Sequence, residues 1–114
     1  MKAIFFETTS FSATVHDYLV EDEYRRMQNH LIAHPEVRTV MPRTGGFRKM
    51  RWQDGRRSKG KGGGLRVIYY WLATECQFWM FAIYDKDELE NLTRDQEKAL
   101  ERAISHELKL RGVI

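Results

Sequence analysis

The chain has 114 residues, of which 42% are hydrophobic and 31% are charged, and its formal net charge is +3 at pH 7. These values predict one globular domain spanning residues 1–114 and exclude both a disordered chain and two separate cores. The single cysteine, Cys76, excludes an internal disulfide and a zinc site made only of thiolates. The sequence shows neither a signal-peptide core nor the roughly 20 apolar residues of a membrane helix, so we expect a cytoplasmic protein without membrane association.

The first third of the chain predicts one strand followed by two helices. β-Forming residues predict a strand at residues 3–6, and the hydroxyls at residues 8–10 provide an N-cap for a short helix at about residues 11–19. A second helix is expected from about Asp22 to Ala33 or His34, because Pro35 disfavours helical geometry in the residue before it.

Three consecutive strands are predicted next, at residues 47–52, 65–73 and 77–84. The glycine-rich segment 53–64 joins the first two strands as a loop, and residues 73–76 form a short hairpin connection. The last two strands are apolar on both faces, which is typical of central, covered strands.

A final helix follows an acidic turn at residues 85–91. Thr93 and Gln96 form the T-x-x-Q pattern of a capping box, and Gly112 is placed to end the helix. The order of elements predicts an α+β fold: a small, mostly antiparallel four-stranded sheet with two N-terminal helices packed on it and a C-terminal helix.

Residues 43–70 concentrate the positive charge of the chain. Nine basic residues and one acid, Asp54, give this stretch a charge of 9 − 1 = +8, so the remainder sums to 3 − 8 = −5. A charge this concentrated indicates a polyanionic ligand or an acidic partner. The basic residues are Arg43, Arg48, Lys49, Arg51, Arg56, Arg57, Lys59, Lys61 and Arg66.

Three of these cations are candidates for one shared face. Lys49 and Arg51 are two residues apart on one predicted strand, so they project from the same side. Arg66 joins them if the next strand pairs in a suitable register, which sequence alone does not determine. The alternative interpretation is a set of solvated charges that protect an edge strand from aggregation.

The glycine-rich loop contains a partial phosphate-binding motif, G-x-x-x-x-G-K, from Gly55 to Lys61. Gly62 stands where Ser or Thr should bind magnesium, and the segment joins two strands instead of opening a helix, so a nucleotide triphosphate site is disfavoured. We interpret the loop as a cationic arm that follows a phosphate backbone. His30 and His34 lack a third ligand at a suitable spacing, so no metal site is expected.

Three segments of the sequence carry a resemblance to a known family. T-G-G-F-R-K-M-R-W, G-G-L-R-V-I-Y-Y-W and A-I-Y-D-K-D-E-L-E-N-L-T occur in this order, with the basic loop between the first two. In motif order and spacing the chain resembles the HigB-type branch of the RelE toxin superfamily, bacterial toxins of type II toxin–antitoxin pairs, over nearly its whole length. The resemblance implies a RelE-like fold and a cofactor-free, metal-independent endoribonuclease that cleaves mRNA in the ribosomal A site and stops translation.

The resemblance also implies a reaction and partners. The 2′-hydroxyl of the RNA attacks the adjacent phosphate and leaves a cyclic phosphate and a 5′-hydroxyl. A cognate HigA-like helix-turn-helix antitoxin holds the toxin inactive, and operator DNA is contacted only through that antitoxin. Lys49 and Arg51 match the paired basic positions of the family's second strand, Arg66 matches the arginine that stabilises the scissile phosphate, and Lys86 matches the lysine after the fourth strand.

The assignment of the proton-transfer groups stays open at this point. A general base must be neutral, and neighbouring cations favour the neutral form of a lysine, so Lys49 and Lys86 are candidates. Asp87 and Thr93 stand where the best-studied branch has an arginine and a tyrosine, which leaves the general acid unassigned. The predicted RNA contacts are Arg48, Arg56, Arg57, Lys59, Lys61 and Tyr84, the last facing a base.

Two other functions are compatible with the same residues. The basic stretch suits a non-catalytic RNA- or ribosome-binding module, whose affinity falls steeply as the salt concentration rises. It also suits a surface that serves mainly to receive an acidic antitoxin.

Overall fold

The computed structural model describes residues 2–36, 39–53, 64–88 and 91–112. Its strands and helices follow the order predicted from the sequence, and a short 3-10 turn at Ala73–Glu75 joins the third strand to the fourth. In chain order the elements are β1 (Ile4–Glu7), α1 (Thr9–Tyr18), α2 (Glu21–Ala33), β2 (Arg48–Trp52), β3 (Leu65–Leu72), β4 (Gln77–Asp85) and α3 (Arg94–Leu110).

Side-chain caps determine where α1 and α3 begin. The Thr8 hydroxyl accepts a hydrogen bond from the Phe11 amide at 3.1 Å and donates to the Phe81 carbonyl at 3.1 Å. This cap starts α1 at Thr9, two residues before the predicted start, and ties the helix to β4. At α3 the predicted capping box is confirmed, since the Gln96 amide donates to Thr93 Oγ1 at 3.1 Å and the Thr93 amide donates to Gln96 Oε1 at 2.9 Å.

The sheet has the strand order β1-β4-β3-β2. β2 pairs with β3, and β3 with β4, in antiparallel orientation, whereas β1 is parallel to β4. The prediction of a mostly antiparallel four-stranded sheet is therefore confirmed, with one parallel pair at the β1 edge. The two strands predicted to be central, β3 and β4, do occupy the middle of the sheet, because their side chains are apolar on both faces.

Helices cover both faces of this sheet. α1 and α2 pack on one face in a core cluster that includes Phe11, Met27, Val67, Tyr69 and Phe78. α3 packs on the other face in a second cluster that includes Phe47, Ile68, Trp79, Leu100 and Ile104. Among the residues that the structure describes, no helix combines the length and apolar character needed to cross a membrane.

The T-G-G-F segment, residues 44–47, lies just before β2 and positions α3. The Thr44 side chain is fully buried, and its hydroxyl donates to the Met41 carbonyl at 2.9 Å and accepts from the Phe47 amide at 3.1 Å. Gly45 and Gly46 form a turn, with φ values of +81° and +123°. A β-carbon on Gly45 would lie only 2.8 Å from Ile104 of α3, so glycine permits the close approach of this helix.

A bidentate ion pair fastens the same turn to α3. Arg43 Nε lies 2.9 Å from Glu97 Oε1, and Arg43 Nη2 lies 3.2 Å from Glu97 Oε2. The Arg43 guanidinium holds the pKa of Glu97 below its ordinary value. Arg43, a member of the basic stretch, therefore has its partner on α3.

Candidate nucleic-acid interface

Three side chains form a row across β2, β3 and β4. Arg51 lies directly opposite Arg66 in the β2–β3 pair, and Arg66 lies directly opposite Tyr84 in the β3–β4 pair. Residues opposite each other in antiparallel strands project from the same face of the sheet. We call Arg51, Arg66 and Tyr84 the cross-strand row, and it lies on the face that α3 covers in part.

Lys49 extends the cationic surface along β2. It lies opposite Ile68, which is two residues from Arg66 on β3, so Lys49 projects from the same face as the cross-strand row. The register therefore brings Lys49, Arg51 and Arg66 to one side of the sheet, which is the condition for a shared site. Arg51 is exposed, whereas Lys49 and Arg66 are half-buried.

Two arginines directly opposite each other create a local preference for an anion. Like charges at opposite positions destabilise an antiparallel pair by up to about 1 kcal/mol. Arg66 Nη1 also donates to the Leu65 carbonyl at 3.3 Å, which holds its side chain near the start of β3. A phosphate that reaches both side chains would match the fork geometry of each guanidinium group.

The Tyr84 hydroxyl is the polar neighbour of this pair. It is buried, and within the described part of the chain it has no hydrogen-bond partner. Burial raises the pKa of the Tyr84 phenol above its ordinary value, and the positive charge of Arg66 offsets part of the increase. The phenol therefore stays protonated at neutral pH, where it can donate a hydrogen bond.

Lys86 lies at the same end of the sheet as the cross-strand row. Its amide donates to the Gly64 carbonyl at 2.9 Å, which extends the β3–β4 ladder one residue beyond the Leu65–Asp85 pair. The Lys86 side chain is exposed. It is two residues beyond Tyr84 in the chain, so a ligand that spans the end of the sheet can reach both residues.

The other predicted RNA contacts are placed differently. Arg48 lies opposite Tyr69 and projects from the face that carries α1 and α2, where it pairs with Glu36 at 3.7 Å. The structure therefore does not bring Arg48 together with Lys49 and Arg51. The predicted contacts in the glycine-rich loop, Arg56, Arg57, Lys59 and Lys61, lie outside the described residues.

A cavity of 240 Å³ adjoins the cross-strand row, between the sheet and the N-terminal half of α3. Its lining is mainly apolar and includes Ile68, Ala82, Tyr84, Leu92, Gln96 and Ala99. The sequence analysis did not find this site. Its only signal was the presence of small residues, Ala82 on β4 and Ala99 on α3, and these become informative only when the packing of α3 on the sheet is known.

The described residues contain no cluster of three or more His, Cys, Asp or Glu side chains arranged to hold a metal ion. His30 and His34 are neighbours on α2 with ring centroids 5.1 Å apart, and the His30 ring contacts Trp52 at 5.7 Å. These histidines lie on the α1–α2 side of the sheet, away from the cross-strand row.

The element order and the mixed sheet define an α+β fold of the RelE type. Among solved structures, the chain is similar to the E. coli toxin RelE, solved as a double mutant in the free state. The two share 9% sequence identity with a TM-score of 0.54, and the match covers 79% of this chain and 90% of RelE. At this identity the similarity shows the fold alone. No established protein-family profile matches the sequence.

Proposed function

We propose that this protein is the toxin of a type II toxin–antitoxin pair, in the HigB-type branch of the RelE superfamily, and that it cleaves mRNA in the ribosomal A site. The observation that carries the proposal is the Arg51–Arg66 pair on the end of a RelE-like sheet. The sequence motifs support it, and the structural neighbour is itself a toxin.

In this proposal the two arginines bind the scissile phosphate. In-line attack on a phosphodiester places additional negative charge on the phosphoryl oxygens, and fixed guanidinium groups stabilise that charge without a metal ion. Each arginine presents two parallel N–H groups, which match two phosphate oxygens. Removing one such donor from a preorganised site costs about 100- to 1,000-fold in rate.

The proton transfers fall to the lysines that flank the row. The 2′-hydroxyl of the RNA loses its proton to a general base, for which Lys49 and Lys86 are the candidates, and its oxygen bonds to phosphorus. The bond from phosphorus to the 5′ oxygen breaks, and that oxygen takes a proton from a general acid. The products are a 2′,3′-cyclic phosphate and a 5′-hydroxyl, so the reaction consumes no water and needs no oxidant or cofactor.

The open geometry of the site fits dependence on the ribosome. The cations lie on the end of a sheet and not in a deep cleft, so the protein alone does little to orient a flexible RNA strand. A ribosome that holds the mRNA in one conformation would supply that orientation. In well-aligned reactions, orientation of the reacting groups lowers the activation barrier by about 7–11 kcal/mol. This substrate places the proposed protein in the cytoplasm, where a HigA-like helix-turn-helix antitoxin would restrain it and mediate any contact with operator DNA.

The test is induction of the chain without an antitoxin in bacteria. Wild type should arrest growth, and primer extension on cellular transcripts should reveal new 5′ ends in phase with codons. Arg66→Ala should lose both effects. Arg102→Ala, which removes an exposed arginine from α3, is the matched control and should behave as wild type. Persistent arrest and cleavage with Arg66→Ala would contradict the assignment of the site.

A second candidate function is a non-catalytic RNA- or ribosome-binding module. It is favoured by one observation: two of the three side chains in the cross-strand row are arginines, which bind phosphate but do not release a proton at neutral pH. The same induction experiment separates the two functions. Arrest with intact transcripts indicates binding alone, whereas codon-phased 5′ ends indicate cleavage.

A further inference from the structure

The turn that follows β4 carries Lys86, which is a candidate general base in the proposed function. The Lys86 amide donates to the Gly64 carbonyl at 2.9 Å, and the Glu88 amide donates to the Asp85 carbonyl at 2.9 Å. Residues 85–88 therefore form a four-residue turn that begins where β4 ends. The lysine side chain is long and flexible, so the position of its amine depends on how this turn is held.

A single carboxylate oxygen fastens the turn to α1. Glu88 Oε1 accepts hydrogen bonds from the Asp85 amide at 2.7 Å and from the Tyr18 hydroxyl at 2.5 Å. Hydrogen bonds to an ionised acceptor are shorter and roughly twice as strong as those between neutral groups. The Glu88 side chain thus closes the turn from within and connects it to a helix that lies 70 residues earlier in the chain.

α1 is a firmly attached anchor for this contact. Phe11 and Val15 of the helix are fully buried, and the Thr8 cap donates to the Phe81 carbonyl of β4. Tyr18 is the last residue of the helix, and its side chain packs against the core on the face of the sheet that α1 and α2 cover. The turn is therefore held from the face opposite to the cross-strand row.

We propose that Glu88 and Tyr18 are positioning residues for Lys86: their hydrogen bond fixes the turn on α1 and thereby sets the position of the lysine amine at the scissile phosphate. The inference rests on the proposed function, in which Lys86 is one candidate for the general base. A base must lie within hydrogen-bond reach of the proton that it removes. A displacement of about 1 Å, even from a change far from the reacting atoms, can lower a rate by about 100-fold.

The first experiment measures the cleavage of mRNA on programmed ribosomes by purified protein. Glu88→Ala should lower kcat by up to about 100-fold, because Lys86 is misplaced. It should leave KM nearly unchanged, because the arginines that bind phosphate are on β2 and β3. Glu88→Gln keeps an oxygen that can accept both hydrogen bonds, so this conservative variant should restore most of kcat.

Two further variants refine this comparison. Tyr18→Phe keeps the ring and removes one of the two hydrogen bonds to Glu88, so it should lower kcat by about tenfold. It also provides a second test of the contact if Glu88→Ala does not fold. Glu75→Ala is the matched control, because it removes an exposed acid from the short turn at the other end of β4. This control should cleave as wild type.

The second experiment combines these changes with Lys86→Ala. Residues that act through one shared group show non-additive effects, whereas independent effects on stability add in any background. Glu88→Ala and Tyr18→Phe should therefore cause no further loss of kcat once Lys86 is replaced by alanine. A merely structural role of Glu88 would lower kcat equally in both backgrounds.

The outcomes separate this inference from the proposed function. Wild-type kcat in Glu88→Ala, or an equal loss in the presence and absence of Lys86, would overturn the positioning role and leave the proposed function intact. Wild-type cleavage by Lys86→Ala would remove both Lys86 and its positioning residues from the mechanism, while loss of cleavage in Arg66→Ala would still support the phosphate site. Absence of cleavage by the wild-type protein would overturn the proposed function and, with it, any catalytic role of the turn.

Discussion

Arg51 and Arg66 lie directly opposite each other on β2 and β3 and project from the same face of the sheet. Like charges at directly opposite positions do not favour the pairing of antiparallel strands. Under the proposed function a phosphate is bound by both arginines. The same relationship separates the proposed function from stability, since the two residues proposed to bind phosphate are not a pair that stabilises the sheet.

Arg51→Ala should separate these two effects. Arg51 is exposed, so its removal should change the free energy of unfolding by no more than about 0.5 kcal/mol. In the proposed reaction Arg51 donates to the scissile phosphate, so RNA cleavage should fall by about 100-fold or more. Urea denaturation and primer extension measure the two quantities. Arg102→Ala should change neither, and a strongly destabilised Arg51→Ala protein would show that the arginine stabilises the fold instead.

Tyr84→Phe should stabilise the free protein. The substitution removes a buried hydroxyl that has no partner among the described residues, and it should raise the free energy of unfolding by about 1 kcal/mol. Tyr69→Phe is the matched control on the neighbouring strand, since the Tyr69 hydroxyl donates to the Pro35 carbonyl at 2.8 Å. That change should destabilise the protein by about 1 kcal/mol. Urea denaturation of both variants checks the opposite signs, and equal effects would contradict the assignment.

The Arg43–Glu97 ion pair should make stability depend on pH in the acid range. The pKa of Glu97 is lowered in the folded protein from its ordinary value of 4.5, so the folded state binds a proton less readily than the unfolded state. The contribution of the ion pair to the free energy of unfolding is therefore complete at pH values above 4.5, the ordinary pKa of Glu97. It is lost as the pH falls through the lower pKa that Glu97 has in the folded protein. Thermal unfolding of wild type and Glu97→Gln from pH 7 to pH 2 measures it.

The difference in melting temperature between wild type and Glu97→Gln should be largest near neutral pH and should shrink as the pH falls below 4.5. Glu101→Gln, at an exposed position one turn later on α3, is the control and should show a smaller pH-dependent difference. A constant difference between wild type and Glu97→Gln across the whole range would show that the two residues do not interact through charge.

Local patterns in the sequence were sufficient to predict the elements and one wall of the site. The alternation along β2 placed Lys49 and Arg51 on one face, and the T-x-x-Q pattern located the start of α3 at Thr93. Both predictions depend on interactions within a few residues. The strand order also followed in large part, because β3 and β4 are apolar on both faces and had to be central.

The sequence patterns do not determine which distant segments and side chains pair with each other. The position of Arg66 opposite Arg51 depends on a register set across the loop, and a shift of one residue would have sent Arg66 to the other face. The parallel pairing of β1 with β4 joins segments about 70 residues apart. The partner of Arg43, Glu97, is separated from it by 54 residues, so the sequence pattern placed the charge of this arginine with the rest of the basic stretch.

Gly45→Ala should weaken the attachment of α3 to the rest of the domain. Gly45 has a φ of +81°, and an added β-carbon would lie 2.8 Å from Ile104 Cγ2, a contact that forces the Ile104 side chain or α3 to shift. Gly112→Ala is the matched control, because Gly112 has a similar φ of +74° and its added β-carbon would meet nothing within 4 Å. Each variant pays a conformational cost of about 1–2 kcal/mol for a non-glycine residue in the left-handed region.

The two glycine variants should therefore differ by the steric cost alone. Overpacking a well-ordered contact typically costs about 1–3 kcal/mol, so Gly45→Ala should lower the free energy of unfolding by that much more than Gly112→Ala. Urea denaturation gives both values, and hydrogen exchange of the α3 amides should become faster in Gly45→Ala. Equal stability of the two variants would show that the T-G-G turn tolerates a side chain and does not position the helix.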